Sequence, residues 1–327
     1  MKKVSLFLLL ILYLVSFQLN AQVIYYDADQ FPLIGKTSDK TETRYERLPS
    51  YLKDCCRPAL WNLGKNTSGL AIRFRTNSTS IFAKWEVTQN NQMNHMTDTG
   101  IKGVDLYAWE KDHWQPMKAG LPKGKTNEQI IISNMTSKER EYIMFLPLYD
   151  GIISLSIGID STATIKKPEL PYPNTTHPIL VYGTSITQGG CASRPGMSYT
   201  NILVRELNRE VINLGFSGNG QLDYEIAELM ATRKDPNTPI LFIETIIFPH
   251  SFYDLKTYET ITEKNRLLRE EYEKIKREGD KNVYYLTSDN LIGNDGEATV
   301  DGIHLTDVGF VRIAEKLFEA INKIENN

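Results

Sequence analysis

The feature that most constrains this chain is a change of hydrophobic period partway along it. From Gly69 to Asp160 the period is two. Leu70, Ile72 and Phe74 alternate with Ala71, Arg73 and Arg75, and Ile81, Ala83, Trp85 and Val87 alternate with Phe82, Lys84 and Glu86. Ile153, Leu155, Ile157 and Ile159 alternate with Ser154, Ser156 and Gly158. Successive side chains of a strand point to opposite faces, so each stretch offers one face to a core and one to water. Several short strands of this kind predict an all-β sandwich. Residues 161–178 hold Pro168, Pro171, Pro173 and Pro178 with little apolar content, which reads as a connector.

After that connector the pattern becomes alternating. Short apolar strands are expected at Ile179–Tyr182, Val211–Leu214, Pro239–Ile243 and Asn282–Leu286. Between and after them lie stretches of helical period: one to about Asn208, one opened by Asp223, one over Glu259–Lys276 and a last one capped by Thr306. Strands that alternate with helices predict an α/β fold with a parallel, doubly wound sheet. Such sheets carry their sites at the carboxyl ends of the strands.

The chain has 327 residues and a formal net charge of -3, so size favours two domains and charge gives no case for nucleic acid. Lys2 and Lys3 precede an almost wholly apolar run from Val4 to Phe17, followed by Leu19-Asn20-Ala21. This is the pattern of a cleaved export signal, with a periplasmic or extracellular destination and no membrane association after cleavage. The expected division is a signal peptide over 1–21, a sandwich over 22–165, a linker over 166–178 and an α/β domain over 179–327. Three cysteines, Cys55, Cys56 and Cys191, make no disulfide framework, although Cys191 bridging to either of the others stays open. No stretch has metal-ligand spacing, and no cofactor is expected.

Three pieces carry chemistry. Ser185 stands where the first α/β strand runs out, and Gly183 permits a tight turn there. Asp301-Gly302-Ile303-His304 lies between the fourth strand and the last helix. A three-residue offset on a tight loop lets the carboxylate reach Nδ1 of the histidine while Nε2 faces outward, as a serine nucleophile requires. Asn213 to Gly220 follows the second strand, and its Gly218 N–H can join that of Ser185 in an oxyanion hole. Taken singly, each has a plainer reading: a serine capping a helix, a loop histidine held by its neighbours, a glycine-rich turn.

Together they resemble the SGNH hydrolases, or GDSL esterases. Val181-Tyr182-Gly183-Thr184-Ser185 is similar to that family's nucleophile turn, Gly218 to its oxyanion glycine, and Asp301 and His304 to its Asp-x-x-His. Gly103-Val104-Asp105-Leu106-Tyr107 resembles the Gly-x-Asp-Leu-Tyr signature of a sandwich that precedes some bacterial members. The resemblance implies a flavodoxin-like, three-layer parallel sheet behind an all-β sandwich. It implies a Ser185–His304–Asp301 triad acting on carboxylic esters. Thr184 stands where the family usually has aspartate. A larger departure is the family's third block, a strand ending in an asparagine that completes the oxyanion hole. Only Gln221–Asn237 fill its place, so a strand-helix unit of roughly 30 residues is missing. Asn219 and Asn237 are the nearest asparagines and neither ends a strand; Thr245 is a candidate replacement donor.

Three functions fit this reading. The first is an exported serine esterase acting on a small-molecule or glycan ester, with acetyl groups on glycans as the expected target. The second is a catalytically impaired descendant, and the third a glycan-binding protein led by the sandwich. Trp61, Trp109 and Trp114 are candidate sugar platforms, and Asn94-His95 is a candidate to overhang the site. The sequence does not fix an oligomeric state.

Overall fold

The computed structural model describes residues 22–233 and 237–326. The expected export segment, 1–21, lies outside them. Among the described residues no helix is long and apolar enough to cross a membrane.

The first half contains β1 (Val23–Asp27), β2 (Leu33–Ile34), helix α1 (Pro58–Gly64), β3 (Ala71–Thr76), β4 (Ile81–Val87), helix α2 (Asp98–Lys102), β5 (Asp105–Glu110), β6 (His113–Ala119), β7 (Thr126–Ile132), β8 (Arg140–Phe145), β9 (Ile152–Asp160) and β10 (Ile165–Lys166). Two antiparallel sheets form, in the orders β1-β9-β4-β7 and β10-β3-β8-β5-β6, with β2 beside β3. Their inner faces enclose a core of Leu70, Ile72, Phe74, Trp85, Leu106, Met144 and Ile157. The alternation breaks at one point: Ser154 pairs with Glu86 and Ile152 with Val87, so Ile153 is the extra residue of a bulge and is exposed. A bulge inserts one residue and so reverses the face on which the neighbouring residues of its strand lie.

Most of the outer face of the β3-containing sheet is covered. Ala71, Tyr107, Trp114, Ile143 and Phe145 enter a second core that is completed by the other half of the chain. That half contains β11 (Asn174–Gly183), α3 (Ser185–Gln188), α4 (Tyr199–Leu207), β12 (Arg209–Gly215), α5 (Tyr224–Ala231), β13 (Ile240–Ile243), α6 (Leu255–Arg277), β14 (Val283–Leu286) and α7 (Asp307–Glu325). Residues of α4 and α7 cover one face of its strands. On the other side α5 is joined by Leu48, Leu60 and Trp61, so the α1 segment serves the α/β half although it precedes most of the sandwich in sequence.

The strands of this half are parallel, as their alternation with helices predicts. They do not form one sheet. β11 pairs only with β12 and β13 only with β14 among the described residues. β12 is buried almost throughout, whereas residues 178–183 of β11 and all of β13 are only half-buried. A missing strand between β11 and β13 accounts for both facts: each keeps one hydrogen-bonded edge and loses the other.

The connector is not a free tether. Leu170 O accepts from Arg73 Nη2 at 2.8 Å, Glu141 Oε1 accepts from the backbone N–H of Glu169 and Leu170, and Tyr172 stacks on Trp109 with centroids 5.2 Å apart. β11 begins inside the stretch read as linker. All three cysteines are free thiols, so neither Cys191 bridge is formed.

Candidate active site

Ser185 opens α3 directly after β11. The turn needs Gly183, because a Cβ there would lie 2.2 Å from Thr187 Oγ1. Two glycines of the segment after β12 let it press against this turn: a Cβ on Gly215 would meet Gln188 N at 2.2 Å, and one on Gly220 would meet Gly183 O at 2.2 Å. Gly218 differs from both. It has φ of +66°, and a Cβ there would have open space around it.

The last loop carries Asp301 and His304. Gly302 turns at φ +90°. Asp301 Oδ1 accepts from the backbone N–H groups of Ile303 and His304 at 3.0 and 2.8 Å, and Oδ2 accepts from His304 Nδ1 at 2.8 Å. Nδ1 therefore carries the proton and Nε2 offers its lone pair. Ser185 Oγ donates to Nε2 at 3.0 Å. Burial pushes the Asp301 carboxyl up, but the His304 ring and the two backbone N–H groups outweigh it and hold it at about 2. The structure thus brings Ser185, His304 and Asp301 into a single hydrogen-bonded chain.

Beside Ser185 two backbone N–H groups are available to an oxyanion. Ser185 is the first residue of α3, where no intrahelical acceptor exists. The Gly218 N–H has no hydrogen-bond partner among the described residues. The asparagine candidates do not help. Asn219 is committed, its Oδ1 accepting from Arg57 Nη1 at 3.0 Å and its Nδ2 donating to Ser217 O at 3.0 Å. Thr245 is exposed and its backbone is clasped on both sides by the Asn265 amide of α6.

Residues to which the sequence assigns no part in the site hold this arrangement. Arg47 is fully buried; it donates to Asn66 O, Leu63 O, Asn213 O and Gly215 O at 2.7–3.0 Å, and lies 4.9 Å from the Phe216 ring centroid. It fixes the end of β12 from which the Gly218 loop springs. Gln188 Oε1 accepts from Ser217 N at 2.8 Å and steadies the same loop from the nucleophile side. Asp105 of the Gly-x-Asp-Leu-Tyr stretch is buried and accepts from Arg194 Nη1 at 2.6 Å and Gly196 N at 2.8 Å, while Arg194 also reaches Tyr107 OH at 2.5 Å. This ties the loop after α3 to the sandwich. Nothing in local periodicity marks Arg47, which reads as one more surface charge.

The sandwich reaches the site itself. Asp150, buried, accepts from Thr88 Oγ1, Gln89 N and Asn91 N at 2.8–3.0 Å and anchors the loop that carries His95. The His95 ring lies 5.3 Å from that of His304, so this residue does overhang the site. Cys191 is buried nearby; burial, then the Asp301 charge, push its thiol up to about 11. The tryptophans are less open than a sugar platform needs. Trp61 and Trp114 are buried, and Trp109 is packed between Trp114 and Tyr172.

Residues 23–165 match the family model for the N-terminus of SGNH-hydrolase-type esterases that bears the GxDLY name. Residues 176–234 and 232–322 match the model of the GDSL-like lipase/acylhydrolase family, in two pieces that meet inside the stretch where the strand-helix unit is missing. A GDSL-like lipase structure from Bacteroides ovatus is 36% identical, with a TM-score of 0.88 over 93% of this chain and 98% of that one. The salicylyl-acyltransferase of a tetracycline biosynthetic pathway shares the fold at 15% identity, TM-score 0.71, covering 93% and 98% of the two chains. An acetyl xylan esterase from Butyrivibrio proteoclasticus shares it at 11% identity, TM-score 0.53, covering 93% and 99%. No curated protein sequence matches the chain significantly.

Proposed function

The chain belongs to the GDSL-like lipase/acylhydrolase family, with the GxDLY-type N-terminal domain of its esterases, and from that premise we propose an exported serine esterase that removes small acyl groups, acetyl above all, from glycans. The observation that carries the serine mechanism is the hydrogen-bonded chain from Ser185 Oγ through His304 to Asp301, at 3.0 and 2.8 Å. His304 Nε2 takes the Ser185 proton as Oγ attacks the ester carbonyl. The protonated imidazole then gives that proton to the departing alcohol, leaving an acyl-Ser185 ester. Water attacks this ester by the same route, the carboxylic acid leaves and Ser185 recovers its proton. Asp301 stays ionised and stabilises the imidazolium.

The oxyanion is met by the N–H groups of Ser185 and Gly218, while the neighbouring Asn219 amide is engaged with Arg57 and Ser217. Loss of one donor from such a hole costs about 10²–10³ in turnover. The reading is therefore of a slow esterase. A glycan substrate is supported by the export pattern of the sequence and by the fold shared with an acetyl xylan esterase. An impaired descendant is the second reading, and the half-buried, one-sided β11 that carries the nucleophile favours it.

Turnover of an activated acetyl ester by the purified protein, beside its Ser185→Ala variant, tests the proposal. The expected result is slow hydrolysis that disappears in the variant. Equal, background rates for both would overturn the esterase and leave the impaired reading. For export, the expected mature N-terminus is near Gln22, read by mass spectrometry.

A further inference from the structure

His304 does not face Ser185 alone. His95 descends on it from the sandwich, the two rings 5.3 Å apart and tilted by 48°. Cys191 comes to the same place from the loop after α3, on a backbone of φ +73° that few residues other than glycine and asparagine adopt. One ring nitrogen of each histidine and the Cys191 sulfur all lie within 4.8 Å of one another. The three residues come from distant parts of the chain, which is why no spacing in the sequence marks them.

Each histidine is prepared in the same way. His95 Nδ1 pairs with Asn94 Oδ1 at 2.9 Å, and His304 Nδ1 with Asp301 Oδ2 at 2.8 Å. An oxygen acceptor on one ring nitrogen holds the proton there and frees the other as a ligand, and metal-binding histidines regularly carry such a partner. Two imidazoles and a thiolate are a donor set for zinc and similar ions, and a poor one for the oxygen-seeking magnesium or calcium. Zinc holds such ligands at about 2.0–2.3 Å, so its donors stand roughly 3.5 Å apart, and closing on an ion asks for movements on the order of 1 Å.

We propose that His95, Cys191 and His304 form a site for a soft divalent cation, and that the bound ion shuts off acyl transfer by occupying the His304 nitrogen that must accept the Ser185 proton. The site stands on its geometry; only the shut-off rests on the esterase reading. Binding converts the Cys191 thiol and M²⁺ into a metal thiolate and one released proton, with a water or Ser185 Oγ in the fourth position. No bond of the protein is broken, so a chelator reverses the state.

The site is tested with Co²⁺ as the probe, by absorption, on the mature full-length protein and on Ser185→Ala, which cannot turn over. Thiolate-to-cobalt charge transfer and tetrahedral d–d bands, at one ion per chain, are expected in both. Cys191→Ser should lose the charge-transfer band, and His95→Ala should weaken binding by more than about 10-fold. Cys55→Ser with Cys56→Ser should leave the spectrum unchanged. Absent bands, or bands that survive Cys191→Ser and vanish with the Cys55 and Cys56 changes, overturn the site. Zn²⁺ inhibition of ester turnover, relieved by a chelator and weakened in His95→Ala, supports the shut-off. Turnover unchanged by Zn²⁺ where Co²⁺ binds overturns the shut-off alone. Absence of any Ser185-dependent turnover overturns the esterase and its shut-off, and leaves the cobalt spectrum to decide the site.

Discussion

The two halves of the molecule treat strand edges in opposite ways. In the sandwich, β3, β4, β8, β5 and β9 are flanked on both sides, and even the β9 bulge is absorbed without loss of the ladder. In the α/β half, among the described residues, β11 and β13 each pair on one side only. Yet the triad sits at the end of the less complete half, and its hydrogen bonds are of ordinary length. The lesson is that its loops are not held by the sheet alone. Arg47, Gln188 and the Asp105–Arg194 pair hold them, and the first and third of these reach across from the sandwich side of the chain. Placement of the Ser185–His304–Asp301 chain here leans on the intact half to offset the broken one.

The largest effect is expected from repairing the broken half. Inserting a strand-helix unit of roughly 30 residues, its strand ending in asparagine, after Arg233 should close the sheet and restore a side-chain oxyanion donor. Turnover of an acetyl ester should then rise by about 10²–10³-fold. An unchanged rate in a folded insertion variant would mean that the gap costs nothing. Asp105→Ala removes the support from the other direction. It strands Arg194 against the buried Tyr107 and frees the loop after α3. Breaking a buried ion pair costs ~3–5 kcal/mol, and because Arg194 keeps 29% of its side chain exposed the low end applies. A lowered melting temperature together with reduced turnover is expected; a lowered melting temperature with full turnover would detach the clasp from catalysis. The smallest effect is that of acid on Asp301. Its folded carboxyl, at about 2, lies below the ordinary value of about 3.9. The stability it contributes is complete above pH ~4 and is lost as pH falls from there through about 2. Acid melting curves should therefore fall less steeply for Asp301→Asn than for the parent across that window, and coincide in slope above it.

Much of this was legible because it is local. The alternation in 71–76 and 81–87 fixes the inner faces of β3 and β4, and a three-residue offset on a tight loop leaves Asp301 and His304 few ways to sit. The alternation failed at Ile153, where a bulge depends on the partner strand. It also misread the outer face of β3, since whether Arg73 and Ala71 meet water depends on what packs there. The 35–66 segment has no period of its own, and only the finished β12–α5 surface shows where it belongs. Gly218 stands out by its backbone angle and open surroundings, features a glycine-rich run does not distinguish among its members. Arg47 and His95 act through contacts with residues over a hundred positions away.

The sheet that carries β3, β8 and β5 is covered on both faces, by its sandwich partner and by the α/β half. A sheet with no free face cannot be excised without exposing one. The two sequence families matched along this chain look like separable parts, but the boundary between them runs through a shared interior. Shuffling either part among relatives amounts to replacing one wall of a room whose other walls were cut to fit it. The transplant would need Asp105, Tyr107 and Arg194, and the aliphatic residues around them, to travel as a set. Heat should likewise melt the protein in a single step instead of releasing a folded sandwich.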